Sequence, residues 1–279
     1  SGYLDAIQIG LFRSMLAALA AVPIILLTGA PFPNLSQIKR LALTSLGIVY
    51  GFPILTALGM RYVPVSHGGV ILAALPLSTA IFGTLITKDR PPLTFWLASF
   101  GGFAAVALFT AMRHSLDGIY LGDLALFGAV VLAGFGYAQG GALSKELKGW
   151  QVMSWTLVIN VPVLVPLSLL NFHPADFHAF GGLQWGALAF LAFVNSLLGF
   201  FLWNRALAIG GIQRISQLQL LQPFFTYAYS IVLMNEPYDW LALLICAAVI
   251  GLVVVSKRTR MHSAVATTVS RRNLAEENN

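Results

Sequence analysis

Long apolar runs separated by short polar connections follow one another along almost the whole chain. Charged residues, Pro/Gly pairs and polar clusters delimit nine such runs, at 6–29, 41–60, 66–87, 93–112, 124–143, 151–170, 183–204, 215–234 and 240–256. Each approaches or exceeds the roughly 20 residues that carry a helix across a ~30 Å hydrocarbon core. Arg13 is the only Asp, Glu, Lys or Arg inside any of them. The pattern predicts an all-α polytopic membrane protein with nine transmembrane helices.

The composition supports this prediction. Of the 279 residues, 58% are hydrophobic and 9% are charged, whereas soluble domains average about 45–50% apolar and about 25% charged residues. A soluble globular protein is therefore excluded. The single cysteine, Cys246, excludes a disulfide within the chain and a cysteine metal cluster.

The positive charges fall mainly on alternate connections. Thirteen Lys and Arg residues lie on one predicted side of the membrane, two on the other, and Arg13 within it. By the positive-inside rule the rich side is the cytoplasm, so the C-terminus is predicted to be cytoplasmic. The tail at 257–279 is polar and mixed in charge, and is predicted to be disordered. We expect a multi-pass protein of the cell inner membrane or plasma membrane, and we attribute the net charge of +6 to this topology rather than to nucleic acid binding.

The sequence also contains a weak internal repeat. An offset of 147 residues places Pro76 on Pro223 and Asp89 on Glu236, and it aligns three apolar runs of each half. An odd number of helices, five, separates the copies, so the second copy is predicted to have the opposite orientation in the membrane. The expected repeats are 1–112 and 122–256. The first has no counterpart of the run at 124–143, so we expect two inverted five-helix repeats that lack the first of ten helices. A protein with nine helices is the alternative.

Several short motifs follow this repeat in order. They are Leu11-Phe12-Arg13, the segment from Gly59 to Pro64 followed by Pro76 and Lys88-Asp89, Gly122-Asp123-Leu124, and the later echo in Ala206-Leu207, Pro223 and Asn235-Glu236. The chain resembles the EamA-like family of the drug/metabolite transporter superfamily from about residue 5 to residue 256. The resemblance implies a two-repeat, ten-helix carrier that moves small metabolites, often outward.

Arg13 is the most costly residue of the predicted membrane region. A cation at depth costs about 2.5–3.5 kcal/mol on insertion scales unless it is paired or hydrated. Its position seven residues into the first run allows its side chain to reach the outer interface, or to pair with Asp5. Direct contact with a substrate carboxylate is the alternative interpretation.

Uncharged polar residues at depth are the other candidates for a substrate site. They are Tyr50, Gln139, Asn160, Asn195, Gln219 and Gln222. Substrate sites in such carriers lie near the midplane between the repeats, so these side chains are predicted to line a neutral cavity. Hydrogen bonds between helices are the alternative explanation for each of them. Pro76 and Pro223 lie at equivalent positions and are candidate hinges or gates, with a shared structural kink as the alternative.

Other patterns have simpler interpretations. Gly47-xxx-Gly51 and Gly136-xxx-Gly140 are typical of close helix packing. His173, Asp176 and His178 resemble metal ligands, but they have no nearby Cys or further His, so no metal site is predicted. No phosphate-binding Gly-rich loop or other cofactor motif is present.

These patterns predict a secondary transporter, not an enzyme, that exports small metabolites such as amino acids by alternating access. Its expected partners are the small-molecule substrate and the lipid bilayer. The alternative is an integral membrane enzyme or a membrane subunit that does not transport.

Overall fold

The computed structural model describes residues 6–63, 65–113, 121–172, 180–234, 240–258 and 262–263. These residues are helical almost throughout. The first half contains six α-helices, which are α1 (Ala6–Thr28), α2 (Leu35–Ser45), α3 (Phe52–Gly59), α4 (Val65–Leu72), α5 (Leu75–Thr87) and α6 (Leu93–Arg113). A π-helical segment, Leu46–Gly51, joins α2 to α3 without a break.

The described residues of the second half contain eight α-helices. They are α7 (Leu121–Leu143), α8 (Gly149–Val158), α9 (Val161–Leu170), α10 (Gly182–Ala189), α11 (Phe200–Gly210), α12 (Ile212–Ser216), α13 (Gln222–Met234) and α14 (Trp240–Arg258). A second π-helical segment, Phe190–Gly199, joins α10 to α11, and a 3₁₀ turn, Gln217–Leu221, joins α12 to α13.

Within the part of the chain that the structure describes, five continuous helical segments are long and apolar enough to cross a membrane. They are Ile7–Thr28, Leu35–Gly59, Gly68–Thr87, Leu121–Leu143 and Gly182–Gly210. The pair α8 and α9 passes the same test as one span bent by 53°. Leu93–Phe109 and Leu243–Ser256 are apolar but shorter. The prediction of an all-α multi-pass membrane protein is therefore confirmed, while the number of nine spans stays a prediction.

Two helix boundaries differ from the sequence prediction for identifiable reasons. The second span begins at Leu35 rather than at 41, because Asn34 and Gln37 form a capping box. The Asn34 Oδ1 accepts the Gln37 N–H at 2.9 Å, and Gln37 Oε1 accepts the Asn34 N–H at 3.0 Å. The predicted run at 151–170 is broken near Asn160, because Pro162 has no N–H to donate and its ring crowds the preceding turn.

Pro76 and Pro223 lie in the first turns of α5 and α13. A turn at 73–74 precedes α5, and the 3₁₀ segment precedes α13. Both prolines therefore follow a change in helix geometry and start a helix instead of lying in its middle. A first-turn proline is tolerated because no helical N–H partner is needed there. Their role as hinges or gates stays a prediction.

The helix boundaries follow the spacing of the sequence repeat. α2 and α10 begin 147 residues apart, as do α5 and α13. This agreement is consistent with the predicted repeats, whose orientation in the membrane stays a prediction.

α7 lies at the centre of the molecule, against α2, the first π-helical segment, α3, α5 and α11. Its contact with the π-helical segment depends on glycine. A Cβ atom at Gly47 would lie 2.8 Å from Gly136 Cα, and one at Gly136 would lie 3.1 Å from Gly47 Cα. The interpretation of these glycines as close packing sites is confirmed.

The predicted tail begins within the last helix. Lys257 and Arg258 end α14, and the strand β2 (His262–Ser263) pairs antiparallel with β1 (Asp89–Arg90). The other residues of 257–279 lie outside the described part of the chain. The pairing places this part of the tail beside the connection between α5 and α6, which carries Lys88 and Arg90. The cytoplasmic position of the tail stays a prediction.

Candidate functional site

A cavity of about 480 Å³ lies between the first part of α1 and the end of α3. It is lined by Ile9, Gly10, Arg13, Phe52, Pro53, Thr56, Ala57, Met60 and Arg61. Arg13 lies near the start of α1, and Arg61 follows the end of the segment Leu35–Gly59. The start of α1 and the end of this segment lie at the same end of the molecule, so both guanidinium groups line one cavity. The cavity therefore combines two cations with a largely apolar wall.

Arg13 is half-buried on the face of α1 that lines this cavity. Its Nε has no hydrogen-bond partner among the described residues. It lies near Tyr137 of α7. The partner suggested by the sequence, Asp5, lies outside the described residues. The side chain thus extends from the cavity towards the centre of the helix bundle.

Tyr137 connects this region to aromatic side chains of the second half. Its ring lies edge-on to Trp203, with the ring centroids 6.0 Å apart, and it is tilted against Phe200 at 5.8 Å. Tyr137 also packs on a hydrophobic cluster that includes residues of α1, the first π-helical segment and α8. Tyr137 therefore links the region of Arg13 to the aromatic side chains of Phe200 and Trp203.

Tyr50 and Asn160, both predicted as site residues, contact each other. The Tyr50 hydroxyl donates to Asn160 Oδ1 at 3.0 Å, and the Ser45 hydroxyl approaches the same oxygen at 3.4 Å. The Asn160 amide donates to the Thr156 carbonyl at 2.6 Å. This network joins the π-helical segment of the first half to the broken helix of the second half.

Irregular backbone on both sides explains why these polar groups meet at this point. Pro53 follows the π-helical segment and Pro162 follows the break at Asn160, and neither has an N–H to donate. The Asn160 side chain supplies a donor to a carbonyl of the interrupted turn. Local π-helical geometry of this kind is often found at functional sites.

The other predicted polar residues lie on separate elements. Gln139 of α7 is buried, and Gln219 of the 3₁₀ segment is half-buried. The Oε1 atoms of both have no hydrogen-bond partner among the described residues. Asn195 in the second π-helical segment and Gln222 at the start of α13 are exposed. A common cavity lined by Tyr50 and these four residues stays a prediction.

The opposite end of the molecule is held by polar contacts between the two halves. Arg40 of α2 forms an ion pair with Glu146, which follows α7. The Gln213 amide of α12 donates to Thr87 Oγ1 at 3.0 Å and to Asp89 Oδ2 at 3.3 Å. Arg40 and Arg61 lie at opposite ends of the segment Leu35–Gly59, about 30 Å apart by the helical rise. The cavity and these bridges are thus at different ends.

Several of these residues were not predicted from the sequence to belong to a site. Arg61 was counted as a charge of a connection and as part of the motif from Gly59 to Pro64, but not as a site residue, and Thr56 and Gln213 carried no motif. A signal for Arg61 was present, because in antiparallel neighbouring helices the start of one span and the end of the next lie at the same side. The contacts of Gln213 depend on tertiary packing that no local pattern encodes.

No group of three or more His, Cys, Asp or Glu side chains suited to a metal ion occurs among the described residues. The sequence cluster at His173, Asp176 and His178 lies outside them. Glu236, the predicted counterpart of Asp89, also lies outside them.

Comparison with known proteins identifies the family. The model of the EamA-like transporter family matches residues 1–111 and 120–257. The uncharacterized transporter YdeK of Bacillus subtilis is 36% identical over 254 residues, which cover 91% of this chain and 88% of YdeK. The uncharacterized transporter YyaM of the same organism is 31% identical over 241 residues, which cover 82% of this chain and 77% of YyaM.

A solved crystal structure has a similar fold. It superposes with a TM-score of 0.73 at 13% identity and covers 92% of this chain and 90% of its own. This likeness concerns the fold alone. With the family match over both halves and the two transporter relatives, the sequence resemblance is confirmed, and the chain belongs to the EamA-like transporter family.

Proposed function

We propose that this membrane transporter is a secondary transporter that exports small metabolites, such as amino acids, by alternating access. The observation that carries the proposal is the asymmetry between the two ends of the molecule. A cavity lies between α1 and α3 at one end, whereas the Arg40–Glu146 pair and the contacts of Gln213 bridge the halves at the other end. This is the arrangement expected of a carrier with access from one side only.

The centre of the molecule supports the same proposal. Helix interruptions at corresponding places in two halves are typical of carrier binding sites, and both π-helical segments lie at positions related by the repeat. Rocking of the halves would separate or reform the hydrogen bond between Tyr50 and Asn160. We propose that the substrate path passes this point and continues past the neutral side chains of Gln139, Asn195, Gln219 and Gln222.

The topology belongs to the same proposal. Ten helices in two inverted five-helix repeats, nine of them in this sequence, would place the polar bridges and the C-terminus in the cytoplasm. The cavity with Arg13 and Arg61 would then open to the outer side. The protein would reside in the cell inner membrane or plasma membrane.

A direct test is exchange of a radiolabelled amino-acid panel across proteoliposomes that contain the purified protein. Vesicles preloaded with the unlabelled panel should accumulate label faster than empty vesicles. Gln222→Leu and Asn195→Leu should abolish this exchange while the protein remains folded. Normal exchange by both variants would remove these residues from the proposed path.

An integral membrane enzyme is the alternative. It would need a reactive polar cluster, for which the sequence offers only His173, Asp176 and His178. Replacement of His173 or Asp176 by Ala should leave exchange intact if the protein is a transporter. Loss of a chemical conversion in these variants, without flux in the parent protein, would favour the enzyme.

A further inference from the structure

The cavity between α1 and α3 has a chemistry of its own. We infer that it binds the carboxylate of an organic acid or amino acid with an apolar body, through the guanidinium groups of Arg13 and Arg61. This inference rests on the proposed transport function and assigns a substrate class to it.

The charges of the cavity wall indicate an anion. Arg13 and Arg61 both line the cavity, and none of the described residues that line it is Asp or Glu. Arginine remains charged at any pH that a protein tolerates, and its planar fork pairs with both oxygens of a carboxylate. Two arginines on one small cavity therefore favour an occupant with at least one negative charge.

Unused hydrogen-bonding groups point to the same occupant. Arg13 Nε and Thr56 Oγ1 are buried and have no hydrogen-bond partner among the described residues. Both residues line the cavity. Buried polar groups are normally satisfied, so these two leave hydrogen-bonding capacity beside the cavity. A carboxylate in the cavity would accept from the Arg13 Nε–H and from the Thr56 hydroxyl after the two side chains turn towards it.

The rest of the wall limits the size and polarity of the ligand. Ile9, Phe52, Pro53, Ala57 and Met60 supply only apolar side chains. The volume of about 480 Å³ lies within the range of small-molecule sites. A nucleotide or sugar phosphate would present hydroxyl and phosphate groups to this apolar wall without partners. A monocarboxylate with an aromatic or aliphatic body fits both parts.

The test compares two probes that differ in charge and almost nothing else. Phenylacetate and phenylacetamide are titrated by calorimetry against the full chain in phosphatidylcholine nanodiscs. We expect phenylacetate to bind, and phenylacetamide to bind at least about tenfold more weakly. A hydrogen bond to a charged group contributes at least this factor to the affinity. Equal binding of both probes, or binding of neither, would overturn the inference.

Variants assign the binding to the cavity. Arg13→Gln and Arg61→Gln should each weaken phenylacetate binding about tenfold, and Arg13→Lys should restore part of it because the charge remains. Lys39→Gln removes a charge from an exposed position of α2 and should bind as the parent does. If Arg13→Gln fails to fold in a melting experiment, Arg61→Gln decides. Unchanged phenylacetate binding by the Arg61→Gln variant would then contradict carboxylate binding by the two arginines.

A lipid phosphate is the other source of an anionic group. Nanodiscs that also contain phosphatidylglycerol separate the two sources. If the site takes a metabolite, phenylacetate should retain its affinity there. Loss of phenylacetate binding that depends on Arg13 would identify a lipid headgroup as the occupant and overturn the substrate assignment.

Failure of the carboxylate site and failure of the transport proposal would give different experimental results. Exchange of amino acids by proteoliposomes without phenylacetate binding would remove the carboxylate site but keep the transporter. Phenylacetate binding without exchange of any compound would keep the site and remove the transport proposal.

Discussion

The hydroxyl of Tyr50 donates a hydrogen bond to Oδ1 of Asn160 at 3.0 Å, and this bond joins irregular segments of the two halves of the protein. Asn160 is almost fully buried at the break between α8 and α9, and Tyr50 lies in the π-helical segment between α2 and α3. A relative movement of the two halves would therefore change the distance between the Tyr50 and Asn160 side chains. The pair also unites two residues that the sequence marked independently.

Tyr50→Phe should destabilise the protein and slow exchange. The variant removes the donor and leaves Asn160 Oδ1 with only the longer contact to Ser45, at a cost of about 1 kcal/mol. Tyr62→Phe is the matched control, because the Tyr62 side chain is exposed. Melting in detergent and exchange in proteoliposomes measure the two effects. Equal behaviour of both variants would show that the bond contributes to neither stability nor transport.

Gln139→Leu should change stability and transport in opposite directions. Gln139 is buried and its Oε1 has no partner among the described residues, so an apolar side chain of similar size should keep or raise the melting temperature. Transport should fall if the amide belongs to the substrate path. The melting temperature and the transport rate are both measured on one purified sample.

Gln151→Leu is the contrasting variant. Gln151 is equally buried, but its Oε1 accepts the Lys148 N–H at 2.9 Å. Its replacement should lower the melting temperature because it leaves that N–H without its partner. A lower melting temperature for Gln139→Leu than for Gln151→Leu would contradict the interpretation of Gln139.

Gly47→Ala should be strongly destabilising. The added methyl group would lie 2.8 Å from Gly136 Cα, and overpacking of this kind costs about 1–3 kcal/mol. Gly186→Ala is the control, because a Cβ atom there meets nothing within 4 Å. This second variant should keep or raise the melting temperature, as alanine favours helix more than glycine. Similar melting of the two variants would refute close packing of α7 on the π-helical segment.

The ion pair of Arg40 and Glu146 should matter more for transport than for stability. Both side chains are partly exposed, with 26% and 48% of their surfaces accessible, so their coupling in a double-mutant cycle should be about 0.2–1 kcal/mol. If the pair helps to close its end of the carrier, Arg40→Gln and Glu146→Gln should each alter the exchange rate. Unaltered exchange in both variants would show that the ion pair is a surface contact without a role in transport.

Sequence patterns predict the helical elements of this fold well, because membrane helices bury apolar runs of fixed length. The run at 93–112 corresponds to Leu93–Arg113, and the run at 124–143 to Leu121–Leu143. The early start at Leu35 and the break at Asn160 were also encoded, by a capping box and by Pro162, but the apolar pattern concealed both. The family resemblance was carried by motifs in both halves and is confirmed.

The candidate site is less predictable, because it depends on which helices meet. A polar residue at depth is visible in the sequence, and Tyr50 and Asn160 were both marked on that ground. Their mutual contact is a tertiary property of helices whose residues lie 110 positions apart. For Arg61 the order of the spans indicates the same side of the membrane as Arg13, but a shared cavity follows only from the packing of α3 on α1.

Exchange across a sealed membrane tests the central claim most directly. Proteoliposomes are preloaded with an unlabelled amino-acid panel, diluted into the radiolabelled panel, and compared with empty and protein-free vesicles. A secondary transporter with alternating access should accumulate label transiently in the preloaded vesicles, and Tyr50→Phe should slow this accumulation. Label in the preloaded vesicles that never exceeds that in protein-free vesicles would contradict the proposed export of amino acids by alternating access.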